Sequence, residues 1–168
     1  MVRAMSEQEQ VVVIHGSFTS TDARRVVASL TGDVEAKVES EVIYPYYCFD
    51  ADCAVPTLIG RKRVSLIGLV DAVNGLGATA DSFELKNETV TKEQLLAADL
   101  GAESAADIAR RTLTHRLGKR LRMIASFDLI VRPRGLVYKR FWIVHSSEAR
   151  VMVDSTTGSL HPLKLRAA

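Results

Sequence analysis

Two stretches constrain the fold more than anything else in this chain: Val70-Asp71-Ala72-Val73-Asn74-Gly75 and Val153-Asp154-Ser155-Thr156-Thr157-Gly158. They share the pattern Val-Asp-x-x-(Asn/Thr)-Gly, which predicts a tight turn. The Asp carboxylate accepts backbone N–H groups a few residues on, and Gly adopts left-handed conformations without steric cost. Each turn closes a β-rich stretch that contains an aromatic pattern. Ile43-Tyr44-Pro45-Tyr46-Tyr47 aligns with Val137-Tyr138-Lys139-Arg140-Phe141. Tyr44 and Asp71 are 27 positions apart and Tyr138 and Asp154 are 16 apart, so the first copy is longer by 11. The same motifs in the same order predict an internal repeat.

The segments around these motifs follow one order twice. Residues 11–18 read as a strand rich in Val and Ile. Thr19 and Asp22 have capping-box spacing, Ala23, Val26, Val27 and Leu30 share a helix face, and Gly32 sits where that helix stops. Residues 35–49 alternate as a strand, with Val34, Ala36, Val38, Val42, Tyr44 and Tyr46 at every second position. Pro45 predicts an edge position or a bulge there. The 11-residue excess is expected as a loop between Phe49 and Arg63, followed by a strand over 64–73.

In the second half, 83–90 reads as a strand. Thr91 and Gln94 repeat the capping-box spacing, which predicts a helical tract to about Leu100. Gly101 breaks it, and Ser104 with Asp107 starts a basic helix over 108–124 with Ile108, Leu113, Leu117, Leu121 and Ile124 facing the core. A strand over 127–131, a turn at Pro133-Arg134-Gly135 and a hairpin of 136–144 with 150–154 complete the order. The expected fold class is α+β: two related helix-plus-β-hairpin units, 1–81 and 82–168, forming antiparallel sheet packed against helices within one compact domain.

Composition sets the outer limits. Of 168 residues, 47% are apolar and 25% charged, as in ordinary globular domains. No unbroken apolar run exceeds four residues, so no membrane-spanning helix and no secretory leader is expected, which predicts a cytoplasmic protein. The net charge of +2 hides an asymmetry. Residues 1–107 carry a net −8 and residues 108–168 a net +10. The basic segment therefore calls for an acidic partner: the chain's own acidic half, a second copy in a homodimer, or an outside polyanion.

The half-repeat resembles the PepSY-like family, small α+β units in which a helix packs on an antiparallel hairpin. The resemblance rests on the capped helix from Thr19 to Leu30 and on the late strand ending Val153-Asp154-Ser155-Thr156-Thr157-Gly158, and covers about half of the chain. It implies a binding or regulatory module without catalytic residues.

Candidate chemistry is sparse. Cys48 and Cys53 are weak metal candidates. A structural zinc site takes four ligands, no second Cys pair exists, and His15, His115, His145 and His161 are scattered. They are expected to be packing residues. No nucleophile elbow, dinucleotide fingerprint or phosphate loop is present, so no cofactor is expected. Asp71 and Asp154 could be an acid–base pair in a site between the repeats, but fixing turns accounts for them more simply.

The strongest candidate surface is basic. Arg111, His115, Lys119 and Arg122 share a helix face, flanked by Arg110, Arg116 and Arg120. Arg61, Lys62 and Arg63 form a second cluster, and Arg132 and Arg134 a third. Tyr138, Phe141 and Trp142 beside Lys139 and Arg140 would supply stacking aromatics to a nucleic-acid binder. The expectation is a non-enzymatic binding or interaction protein with a protein or small-molecule ligand. The alternatives are a nucleic-acid-binding protein that uses the basic helix and an enzyme with a site between the repeats.

Overall fold

The computed structural model describes residues 6–121 and 128–163. The fold is α+β, with two α-helices and eight strands among the described residues. The chain forms two compact units. The first comprises Met1–Tyr44, Glu84–Leu96 and Tyr138–Ala168, and the second Pro45–Phe83 and Ala97–Val137. These units do not follow the expected division at 81/82, because each draws on both halves of the sequence. The cause is strand length. Strand β2 (Lys37–Thr57) has 21 residues and β6 (Asp128–His145) has 18. At about 3.3 Å per residue they extend roughly 60–70 Å, several times a usual strand, so each contributes to two cores.

In the first unit, β1 (Gln8–Ile14) pairs antiparallel with β5 (Leu85–Thr91) and meets β6 in parallel at Val13–Tyr138. The end of β6 pairs with β7 (Arg150–Asp154), which pairs with β8 (Leu160–Leu163). Helix α1 (Ser20–Thr31) has the expected ends. The Asp22 N–H donates to Thr19 Oγ1 (3.2 Å), the Thr19 N–H donates to Asp22 Oδ2 (3.0 Å), and Gly32 closes the helix at φ 70°. The helix buries Ala23 and Val27 against Ala36, Val144, Val151 and Val153. It therefore packs on the hairpin of the second half of the sequence. Leu30, expected on the buried face, is exposed.

The Thr91–Gln94 capping box forms, but it starts only a 3-10 turn, Lys92–Gln94. The expected helical tract to Leu100 is absent because the next amide is drawn elsewhere: the Leu96 N–H donates to the Ile43 carbonyl (3.0 Å) and the chain runs beside β2.

In the second unit, β2 from Tyr46 pairs antiparallel with β3 (Gly60–Asp71) out to Thr57–Gly60, and β3 pairs with β4 (Gly77–Ala80). The expected loop between Phe49 and Arg63 is this hairpin, joined by Leu58 and Ile59 alone. Alternate side chains explain why it is strand: Phe49, Ala51, Cys53 and Val55 are all buried. Helix α2 (Ala102–Leu121) lays Ala105, Ala109 and Leu113 on Phe49, Ala51 and Val70, and Leu117 on Cys53 and Val55. Leu113 and Leu117 are fully buried, each worth about 1.5–3 kcal/mol.

Pro45 lies inside β2, buried, rather than at an edge. Its carbonyl accepts from the Ala72 N–H (3.1 Å), and the Ala72 carbonyl, denied a proline donor, accepts from Asp99 and Leu100 instead (2.9 and 2.8 Å). Pro133-Arg134-Gly135 likewise lies within β6 rather than turning the chain, with Gly135 at φ 98°. Arg132 and Arg134 reach Asp52 and Asp50 on β2 (2.7 and 3.4 Å), which ties the strand on both sides of Pro133.

The two Val-Asp turns have one geometry. Asp71 Oδ1 accepts from the Val73 and Asn74 amides (2.8 and 2.9 Å), and Asp154 Oδ1 from the Thr156 and Thr157 amides (2.7 and 3.4 Å). Gly75 and Gly158 have φ 73° and 71°. Asp71 is opposite Tyr46 and Asp154 opposite Phe141, one residue off the aromatic alignment read from sequence, which put Tyr47 at the place of Phe141.

Candidate anion-binding face

Helix α2 is charged in the sense its dipole favours, with Glu103 in the first turn and Lys119 and Arg120 in the last. Its buried stripe repeats every four residues at Ala105, Ala109, Leu113 and Leu117, with Ile108 half-buried. The leucines of this stripe are legible in the sequence and the two alanines are not, because small side chains give little signal yet let the helix approach the sheet closely. Ile124 and the side chain of Leu121 lie outside the described residues.

The basic residues fall where the stripe leaves them. Arg110, Arg111, His115, Arg116, Lys119 and Arg120 are all exposed, and none forms an ion pair with a described residue. Arg122 lies outside the described residues. Arg116, Lys119 and Arg120 line a cleft of about 440 Å³ with Leu66 of β3, Thr79 and Ala80 of β4, and Asp81. Three cations there face one carboxylate.

The other basic clusters differ. Arg132 and Arg134 are held by Asp52 and Asp50. The Asp52 carboxyl is held below its ordinary range by the Ser65 hydroxyl, Arg132 and Arg63. Among the described residues Arg61 and Arg63 keep only long contacts, 3.7 Å to Asp128 and 3.6 Å to Asp52, and Lys62 is exposed without a described partner. Arg140 bridges Glu41 (2.7 Å) and Glu88 (2.5 Å), and Lys139 meets Asp154 at 2.6 Å.

The aromatics expected to stack on bases are engaged within the first unit. Phe141 is buried edge-on to Tyr44 and His161, Trp142 Nε1 donates to the Phe18 carbonyl (2.9 Å), and Tyr138 packs on Val11, Val13, Ile43 and Val90. They do not form an exposed stacking platform.

Cys48 and Cys53 are free thiols and buried. Five residues of strand separate their Cα atoms by roughly 16 Å, beyond the roughly 7 Å a disulfide spans. Burial pushes both thiols up, against the pull of Arg134 at Cys48. Among the described residues no group of three His, Cys, Asp or Glu side chains is placed to hold a metal ion. No described helix is long and apolar enough to cross a membrane. No protein-family model matches the chain, and neither a curated protein nor a solved structure matches it.

Proposed function

We propose that the chain is a non-enzymatic binding module whose α2 face docks a phosphate-bearing polyanion by charge. One observation carries the reading: six basic side chains on one helix are exposed without a described carboxylate partner, while Arg132, Arg134, Lys139, Arg140 and Arg150 each have one. Cations at helical spacing repel one another, so an anionic partner relieves a cost that the isolated unit bears. The PepSY-like resemblance, a binding or regulatory module, points the same way. The enzyme reading has less support, because Asp71 and Asp154 each serve their own turn. A nucleic acid on this face is held through its phosphates rather than by base stacking, since Phe141 and Trp142 belong to the first unit's packing.

Anisotropy of a labelled mixed-sequence DNA duplex across a salt series tests this. Each phosphate neutralised contributes about −0.9 to the slope of log K against log salt, so four or five contacts give roughly −4. Absence of binding at low salt, or a flat salt response, would contradict the proposal.

A further inference from the structure

The β2–β3 hairpin ends in an exposed apolar pair. Leu58 and Ile59 are 107% and 100% exposed. Single exposed aliphatics need no explanation, but two adjacent ones at a hairpin tip leave the core entirely. The last hairpin residue before them in the core is Val55, against Leu117. Arg61, Lys62 and Arg63 follow at once, all exposed. Because Ala105 and Ala109 pack near Phe49 and Ala51 while Leu117 packs on Cys53 and Val55, α2 runs toward this tip. Its last-turn cations, Lys119 and Arg120, line the cleft with Leu66, which is opposite Ala51, six residues back from Thr57 on the hairpin.

We propose that this end of the second unit docks on an anionic phospholipid surface. Leu58 and Ile59 enter the headgroup–acyl boundary, and Arg61, Lys62 and Arg63 meet lipid phosphates. The inference rests on the polyanion reading and names the source of the phosphate. Charge complementarity and the apolar tip together select this partner. A nucleic acid offers phosphates but no apolar compartment, and aliphatic side chains do not stack on bases as aromatics do. A protein interface asks for a contiguous apolar centre inside a polar rim. Here the apolar pair is bordered by Thr57 and Gly60, with Arg61 next.

A bilayer interface accepts a narrow apolar tip, and Lys and Arg stems lie along its apolar layer with their charges at the headgroups. Two aliphatics are a small anchor, so charge must supply the second signal. Each cation near an anionic leaflet raises affinity roughly fivefold.

Sedimentation of the full chain with vesicles tests the proposal, with the DNA duplex as the soluble polyanion. The wild type is expected to sediment with equimolar phosphatidylglycerol–phosphatidylcholine vesicles and to stay in solution with pure phosphatidylcholine. The double variant Leu58→Ser/Ile59→Ser is expected to lose at least about tenfold in vesicle affinity while keeping its duplex affinity, since both residues lie outside the core. Arg61→Glu/Lys62→Glu should also release the vesicles. If the wild type binds the duplex but no vesicle, or if the tip variant binds vesicles as well as the wild type, the membrane inference falls and the polyanion reading stands. If the wild type binds neither, both fall.

Discussion

Asp154 shows how one side chain can be both legible and hidden in a sequence. Its place in Val-Asp-x-x-Thr-Gly predicts a carboxylate that accepts the amides of its own turn, as it does. Its ion pair with Lys139 depends on the cross-strand pairing of β6 with β7, which residue spacing does not fix. Both side chains are largely buried, 17% and 6% exposed. Burial pushes the Asp154 carboxyl up, but the Lys139 ammonium and the Thr156 hydroxyl and amide together outweigh it and hold it below its ordinary range. A carboxyl depressed in the folded state takes up its proton later than in the unfolded chain. Its stabilisation is therefore complete above about pH 4–5 and fades as pH falls through the folded value. Asp154→Asn should lower stability at neutral pH by about 2–4 kcal/mol and flatten the acid limb of the stability curve. Urea unfolding at a series of pH values checks both; an unchanged acid limb would show that the pair contributes no pH dependence.

At the scale of elements, the sequence misleads wherever proline or glycine lies inside a long strand. Pro45, Pro133 and Gly135 look like punctuation, yet the chain runs through all three. In β2 other amides satisfy the carbonyl that a proline leaves without a donor. In β6, ion pairs to β2 hold the strand on both sides of its proline. Such partners are distant in sequence, so local pattern cannot reveal them. The capped helix α1 was legible because its Thr19, Asp22 and Gly32 signals are local. The β2–β3 hairpin allows a sharp test, since its Cys53 and Val55 pack on Leu117 of α2 while Leu58 and Ile59 at its tip are exposed. Leu117→Ala empties a fully buried site beside Val55 and should cost about 2–5 kcal/mol. Leu58→Ser and Ile59→Ser should each stay within about 0.5 kcal/mol of wild type. Chemical denaturation midpoints decide; a comparable loss at the tip would show that Leu58 and Ile59 belong to a core.

At the scale of the whole chain, the charge asymmetry was plain in the sequence, but its consequence was not. Acidic residues of 1–107 do neutralise part of the basic segment: Glu41 and Glu88 hold Arg140, Glu39 holds Arg150, and Asp50 and Asp52 hold Arg134 and Arg132. Those pairs form because β2 and β6 contribute to both compact units, so halves that differ in charge share each core. Among the described residues the cations of α2 are left out of that exchange, because its buried stripe turns them to solvent. Polyanion docking requires that face to be free. The triple variant Arg111→Glu/Arg116→Glu/Lys119→Glu measures this directly when its melting temperature is read beside its retention on a heparin column. A free docking face predicts a melting temperature within about 2 °C of wild type and complete loss of the salt-sensitive retention that the wild type shows. A fall of roughly 5 °C or more, with a wild type that heparin does not retain, would mean that these cations are part of the fold's own charge balance and would contradict the account.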